Sequence, residues 1–223
     1  MTKLLTTQAT KIDKSQNDDW VNVIMYLDPL YRKEVCLGAS AGCRKSCLIN
    51  SGRMVMPNAV NARRARTELY YNDPEVFMMQ LRGEIMQALA TAMKQGKRLA
   101  VRLNGTSDLD WSEVYSEFPQ VQFYEYTKRP ELVEKFKEFA NVDLTFSKHE
   151  NHTEEQVIKV LDSGTNVAVV FASEVPEVHF SRPVINGDDH DRRFEDFKGA
   201  IVGLKLKGTK ATKEFAIKRG FAI

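Results

Sequence analysis

The feature that most constrains the fold is a regular alternation of short apolar segments with amphipathic ones. Helix-like segments separate most of the strand-like segments, which begin near Trp20, Leu99, Val121, Val142, Asn166 and Ala200. Strands that alternate with helices form a parallel sheet with helical crossovers. The chain is therefore predicted to be an α/β protein with about six parallel strands.

An eight-stranded (β/α) barrel takes ~250 residues, and this chain has 223. The pattern therefore favours a partial barrel of about six strands, and a doubly wound open sheet is the alternative. Two long helices are predicted before the alternating region. The first covers about 58–71, and the second has Asp73 as N-cap, Pro74 at its first position and Gly96 beyond its end. Apolar residues at every fourth position from Phe77 to Met93 predict a buried stripe on the second helix.

Residues 1–18 are polar and lack periodicity, which predicts a flexible or edge N-terminal arm, and 19–223 are predicted to form a single domain. The net charge is +2, from 32 basic and 30 acidic residues, which argues against binding of nucleic acid through a large excess of positive charge. Nothing resembles a signal peptide or a membrane span. The expected location is the cytoplasm, without a membrane partner.

All three cysteines of the chain lie in one short segment, CLGASAGCRKSC, as Cys36, Cys43 and Cys47. An odd number of cysteines argues against a disulfide framework. If about 43–49 are helical, Cys43 and Cys47 share one face of that helix, and the glycine-containing loop lets Cys36 fold back toward them. Because the segment follows the first strand, it is expected at the C-terminal end of the sheet, where parallel α/β folds carry their chemistry.

Three kinds of thiol site fit this segment. Three thiolates hold an iron–sulfur cluster with one open iron. Zinc is the alternative, with a distant histidine or carboxylate as its fourth ligand. Three inert buried thiols are the remaining possibility, but the polar sequences LGASAG and RKS are not typical of a core.

A strand followed by a three-cysteine loop, a helix and a partial barrel resembles the radical S-adenosylmethionine (SAM) superfamily. The resemblance implies that Cys36, Cys43 and Cys47 hold a [4Fe-4S] cluster and that SAM binds its open iron. The cysteines are separated by six and three residues, which is wider than the usual spacing of that superfamily.

A second resemblance covers nearly the whole chain. Six segments are similar to a family of bacteriophage proteins that share a three-cysteine segment: RLNGTSDLDW, VQFYEYTKRP, DLTFSKHE, NVAVVF, VINGDDHDRRFED and IVGLKLKG. The resemblance implies a viral protein that acts in the host cytoplasm. Some members are labelled rolling-circle replication initiation proteins, which use two histidines around one apolar residue to hold a metal. Here the closest pair, His149 and His152, encloses two polar residues, so DNA nicking is not expected.

Polar side chains follow three successive predicted strands. Strand ends of a parallel sheet lie together, so these residues are predicted to bind a small molecule over the cysteine site. Lys128 and His149 are the candidate catalytic residues, because each can bind an anion or move a proton. A helix cap and solvated loops are the alternative interpretation. The remaining candidates for cofactor binding at these strand ends are Asn104, Thr106, Ser107, Asp108, Tyr126 and Ser147.

Two charged runs lie outside this group. Within Gly187–Arg193, Asp188, Asp191 and Arg192 are candidate ligands for a metal or a carboxylate, and a solvated turn is the alternative. The basic run at 63–66 is predicted to be a solvated helix face, with phosphate binding as the alternative.

The sequence therefore predicts an iron–sulfur protein that works as a radical-SAM-like enzyme. The alternative is a non-enzymatic phage protein that is stabilised by zinc or a cluster and that binds nucleic acid or a host protein.

Overall fold

A computed structural model describes residues 2–7, 12, 14 and 19–223. Within them the chain forms a mixed α/β fold with nine strands and seven α-helices. The strands are β1 (Leu5–Thr6), β2 (Trp20–Met25), β3 (Arg98–Arg102), β4 (Gln122–Thr127), β5 (Val142–Ser147), β6 (Asn166–Phe171), β7 (Val178–His179), β8 (Arg182–Asn186) and β9 (Ile201–Lys205). The helices are α1 (Ala41–Lys45), α2 (Pro57–Asn72), α3 (Pro74–Lys94), α4 (Ser112–Glu117), α5 (Pro130–Phe136), α6 (Glu154–Asp162) and α7 (Lys210–Arg219).

The strands form one mostly parallel sheet in the order β1-β2-β3-β4-β5-β6-β9-β8-β7. Each strand from β2 to β6 pairs in parallel with the next one along the chain, and β9 lies between β6 and β8. The edge strands β1 and β7 pair antiparallel with β2 and β8. The α/β class and the parallel sheet are confirmed. The strand order is sequential from β2 to β6, whereas a doubly wound sheet reverses its strand order at a switch point.

Helices α3 to α6 cover one face of the sheet and bury its apolar residues. Val101 of β3 and Phe123 of β4 belong to one buried cluster with Phe77, Leu81 and Ile85 of α3. Further along the sheet, a second buried cluster joins α6 to β6. None of the helices in the described ranges is long and apolar enough to cross a membrane.

The predicted stripe on α3 is confirmed except at its last position. Leu89 packs against the cluster, but the side chain of Met93 is 69% exposed. Ala92 is fully buried there instead. The helix ends at Lys94, so its last turn lies at the rim of the core.

The other face of the sheet is covered by the segment between β8 and β9. The Phe194 ring contacts Trp20 of β2 and Tyr124 of β4, with centroids 4.7 and 5.7 Å apart. On the same face, Arg102 of β3 forms a buried ion pair with Asp191 at 2.7 Å. This face therefore buries a charged pair beside its aromatic groups, whereas the clusters under the helices are apolar.

Within residues 1–18, β1 lies at the edge of the sheet, and Leu4 and Leu5 are buried. The remaining part of the predicted arm, apart from 2–7, 12 and 14, lies outside the described residues. Three described elements have no counterpart in the sequence-based prediction, namely β7, β8 and α7. The C-terminal helix α7 packs on α1 of the cysteine segment.

The helix predicted near Cys43 to Ile49 is shorter and begins earlier. It covers Ala41–Lys45, and Cys47 precedes a separate 3-10 turn at Leu48–Asn50. Cys43 and Cys47 therefore do not share a helix face, and that part of the prediction is wrong.

Candidate functional site

The three cysteines line one cavity at the C-terminal ends of the parallel strands. The cavity has a volume of about 170 Å³, close to the ~150 Å³ of an engineered cavity that accepts benzene. Cys36 is buried, Cys43 and Cys47 are half-buried, and all three are free thiols. The segment reaches this position because it leaves the end of β2 and folds over the ends of the neighbouring strands.

A carboxylate from the loop after β5 holds the cysteine segment in place. Glu150, which follows β5, accepts hydrogen bonds from the Ser40 hydroxyl at 2.6 Å and from the Gly42 amide at 2.7 Å. Ser40 in turn caps α1 by accepting from the amide of Cys43 at 3.0 Å. Burial opposes ionisation of Glu150, but these hydrogen bonds outweigh it and its pKa lies below the ordinary value.

Gly42 has to be glycine at this position. A Cβ there would lie 2.6 Å from the Cβ of Phe221 and 2.8 Å from the carboxylate oxygens of Glu150. Arg44 adds a further hydrogen bond within the segment, because its guanidinium donates to the carbonyl oxygen of Cys36 at 3.3 Å. The cysteine segment is thus fixed by the ends of β5 and of the chain.

The electrostatics of the cavity combine two thiols of raised pKa with several cations, of which Lys128 acts on the thiols. Burial raises the pKa of the Cys36 thiol to about 12, and the Lys128 ammonium partly offsets this. Burial also raises the pKa of Cys47. For Lys128, burial lowers the pKa, but the thiolate forms of Cys43 and Cys36 and the Asp108 carboxylate outweigh it and the pKa is raised. A metal that binds these thiols therefore has to displace their protons.

Most of the predicted strand-end residues line the cavity. The structure brings together there Asn104, Thr106, Ser107, Tyr126, Lys128, Ser147 and Asp188 with the three cysteines. These side chains therefore lie together at the C-terminal ends of the strands, as the parallel strand direction predicts.

Asn104 and Asp108 both organise the loop that follows β3. The Asn104 side-chain oxygen accepts from Ser107, from the Leu109 amide and from the Trp111 indole at 2.8 to 3.1 Å. Asp108 accepts from the Thr127 hydroxyl at 2.7 Å and from the Lys128 amide at 2.9 Å. These bonds set the position of Lys128 beside the thiols.

His149 is placed behind the cysteine segment rather than among the residues that line the cavity. Its ring stacks on His152 with centroids 3.7 Å apart, and its Nδ1 accepts from the Asn151 amide at 3.1 Å. Burial lowers the pKa of His149, and burial also lowers that of His152 to about 4. Nε2 of His152 lies 3.1 Å from the carbonyl oxygen of Lys128, so the pair supports the loop that carries the lysine.

The candidate residues in the charged run after β8 have different partners. Asp188 lines the cavity and pairs with Lys207 at 2.6 Å. Asp191 is buried against Arg102. Arg192 pairs with Glu195 at 2.7 Å and lines neither this cavity nor the larger one beside it.

Three features of the site are missing from the sequence-based predictions. Glu150 holds the cysteine segment, although the sequence places it only in a polar stretch. Glu125 of β4 is buried, and burial raises its pKa to about 7 against the hydrogen bonds from the backbone of Leu103 and Asn104. A lone carboxylate inside the apolar stretch QFYEYT was the available signal for it.

The third missed feature is the burial of two arginines on α2. Arg63 and Arg66 are 3% and 8% exposed, whereas the Arg64 side chain is 55% exposed. The predicted solvated helix face is therefore wrong for Arg63 and Arg66. Their burial also removes them from direct contact with a nucleic-acid backbone on the outside of the molecule.

Within the described ranges, no three histidine, cysteine, aspartate or glutamate side chains come together closely enough to hold a single metal ion. The three cysteines line their cavity without forming such a group.

The fold and the site define an α/β protein with a mostly parallel sheet and a cysteine-lined cavity at the C-terminal ends of its strands. The model of the Gene product 88 family matches residues 2–220. The chain therefore belongs to the Gene product 88 family, which confirms the predicted phage protein family. No curated protein and no solved structure matches the chain.

Proposed function

We propose that this protein binds a [4Fe-4S] cluster through Cys36, Cys43 and Cys47 and acts as a radical-SAM-like enzyme. The observation that carries the proposal is the position of three free thiols around one cavity at the C-terminal ends of parallel strands. These are the only cysteines in the chain. Three ligands leave one iron of a four-iron cluster open to a small molecule.

The number of thiols favours a cluster over zinc. A structural zinc ion takes four protein ligands, and the cysteines of this chain supply three. A four-iron cluster would be held by Cys36, Cys43 and Cys47 and would keep one iron open to a small molecule. The residues present therefore fit a cluster better than a single ion.

When bound, a reduced cluster with an open iron supplies the electron that cleaves SAM to methionine and a 5′-deoxyadenosyl radical. The sequential strand order and the helices on one face support a partial barrel around this site. A larger cavity adjoins the cysteine cavity and shares Leu48, Gly105 and Thr106 with it. It offers space for a molecule beside the open iron.

The chain's own residues have two tasks in this proposal. Lys128 offsets the negative charge that three thiolates bring into a half-buried cavity, which favours their ionised, ligating form. Glu150 and Ser40 keep the segment that carries Cys43 against the strand ends. Free thiols and a reductive reaction suit a reducing compartment, so the proposed location is the host cytoplasm.

The test is anaerobic reconstitution with iron and sulfide. The wild-type chain is expected to turn brown, to hold iron and sulfide in equal amounts and to bleach on addition of dithionite. With SAM and dithionite it is expected to form 5′-deoxyadenosine. The matched control is the Cys36→Ala/Cys43→Ala/Cys47→Ala variant, which has no other cysteine to bind iron.

Equal iron content in the cysteine-free variant, or one zinc without sulfide in the wild type, would contradict the proposal. A cluster that forms but does not cleave SAM would contradict the radical reaction alone. That result would leave the non-enzymatic alternative, in which the cluster braces a phage protein that binds nucleic acid or a host protein.

A further inference from the structure

A second cavity lies beside the cysteine cavity and is much larger. Its volume is about 830 Å³, within the ~300–1,000 Å³ that is typical of small-molecule sites. Helix α2 forms one wall, and the segment that begins at Gly187 forms part of the opposite wall. The three cysteines are not among the residues that line it.

Two buried arginines of α2 line this cavity, and among the described residues only one carboxylate lies within ion-pair distance of either guanidinium. The nearest carboxylate to the Arg63 guanidinium belongs to Asp28, with Nε and Oδ2 3.9 Å apart. Arg63 Nη1 donates to the carbonyl oxygen of Met54 at 2.8 Å, and its buried Nε has no hydrogen-bond partner. Within the described residues, Arg66 donates to neutral oxygens of Lys3 and Thr6, at 2.7 and 3.3 Å. Burial lowers the pKa of Arg66, and the nearby Glu84 carboxylate partly offsets this.

Buried charges in proteins are normally paired, because an unpaired one is costly to desolvate. Arg63 and Arg66 are three residues apart on one helix, so their side chains lie on the same face. Two neighbouring guanidinium groups with hydrogen bonds to neutral oxygens leave positive charge that an anion in the cavity can neutralise.

The other charged groups of the cavity add to the positive potential. Arg53, Lys14 and Lys207 also line it. Its two acidic residues are already engaged, Asp188 with Lys207 at 2.6 Å and Asp191 with Arg102 at 2.7 Å. The cavity is therefore cationic although the chain as a whole is nearly neutral.

Apolar groups complete the lining. Leu48, Met54, Ala59 and Ala62 contribute carbon surface, which suits the organic part of a ligand better than an inorganic ion alone. Burial raises the pKa of Tyr26 to about 12, so its phenol stays protonated beside the arginines.

We propose that this cavity binds a small organic anion, with a phosphate or carboxylate group held by Arg63 and Arg66. Guanidinium groups match the planar, two-oxygen geometry of both anions. The proposal does not depend on a metal centre. If the cluster forms, the position of this ligand next to the cysteine cavity makes it the substrate class of the proposed reaction.

The test measures binding by titration calorimetry on the purified chain. The probes are adenosine monophosphate, inorganic phosphate and citrate, with uncharged adenosine as the neutral probe. At least one organic anion is expected to bind, and adenosine is expected to bind at least 10-fold more weakly. A preference for the nucleotide over citrate identifies the phosphate source, and the reverse identifies the carboxylate source.

The arginines are tested with Arg63→Met and Arg66→Met, and Arg64→Met is the matched exposed control on the same helix. The first two are expected to weaken anion binding at least 10-fold, and the control less than 2-fold. Arginines with a purely structural role would instead lower the melting temperature and leave anion binding unchanged, which would overturn the proposal.

Ala62→Leu keeps every charge and narrows the cavity beside Arg63 and Arg66, so it tests the site even if an arginine variant does not fold. It is expected to weaken binding of the same anion. Unchanged binding in Ala62→Leu, or no binding of any anionic probe by the wild type, would overturn the proposal. The cysteine-free variant is expected to bind the anion normally, which separates this result from failure of the proposed cluster.

Discussion

The two faces of the sheet are built on different principles. On the helix-covered face, apolar side chains such as Val101 and Phe123 pack against α3 in a continuous core. On the other face, charged groups are buried in pairs, with Arg102 against Asp191 and Arg193 against Asp196. The first arrangement stabilises the fold through apolar burial, whereas the second holds the loops that form the two cavities in fixed positions.

The largest expected effect comes from breaking the buried ion pair of the polar face. Arg102→Met removes the guanidinium that lies 2.7 Å from the Asp191 carboxylate, and Asp191 is 2% exposed. Loss of one member of a buried pair costs about 3–5 kcal/mol. Chemical denaturation is expected to show a loss of this size in the free energy of unfolding.

The double variant Arg102→Met/Asp191→Leu removes both charges and is the control. It is expected to recover much of the loss, because no unpaired charge stays buried. A loss below about 1 kcal/mol in the single variant would show that water reaches the pair and that the polar face is not dry.

The apolar face is tested at Leu81, which is fully buried on α3. Leu81→Ala removes core contacts and leaves a cavity, at a cost of about 2–5 kcal/mol. Met79→Ala on the same helix is the control, since Met79 is 66% exposed and surface changes usually stay within about 0.5 kcal/mol. Similar losses in the two variants would contradict the packing of α3 on the sheet.

The apolar face was also the part of the fold that could be predicted from sequence. Strands such as NVAVVF in β6 and the four-residue repeat of α3 carry their burial pattern in the order of their residues. In contrast, α7 has only Ala216 buried, so it lacks the apolar stripe that predicts a helix. The strand β8 contains Pro183 and has no fully buried residue, which removes the usual strand signal.

In the candidate site, too, only some of the positions could be predicted from the sequence. The cysteines and the strand-end residues could be placed together because the direction of parallel strands fixes where their ends lie. The burial of Arg63 and Arg66 could not be predicted, since it depends on which loops fold over α2. Glu150 was missed for a similar reason, because its partners Ser40 and Gly42 are more than 100 residues away in the chain.

The apolar face contains one buried ionisable side chain, Glu125, which makes the stability of the protein depend on pH. Burial raises the pKa of Glu125 to about 7, so as the pH rises the unfolded chain ionises before the folded one. The stability contributed by this group is therefore complete below about pH 4.5 and is lost as the pH rises through about 7. Each unit of pKa difference corresponds to about 1.4 kcal/mol.

The comparison is between the wild type and Glu125→Gln, which cannot ionise. Between about pH 5 and pH 8, the wild-type free energy of unfolding is expected to fall by on the order of 1–3 kcal/mol relative to the variant. Parallel pH profiles for the two proteins would show that Glu125 ionises freely in the folded state.

The smallest expected effect concerns the cysteine segment. Glu150→Gln keeps the shape of the side chain but removes the charge that strengthens the bonds from Ser40 and Gly42. The loss is expected to be about 1 kcal/mol, because hydrogen bonds to charged groups contribute roughly twice as much as neutral ones. The amides of Gly42 and Cys43 are therefore expected to exchange with solvent about 5-fold faster, while the amides of α3 are unchanged. Equal acceleration in both regions would mean that the cysteine segment opens only when the whole protein unfolds, and that the polar end of the sheet is as stable as its helix-covered face.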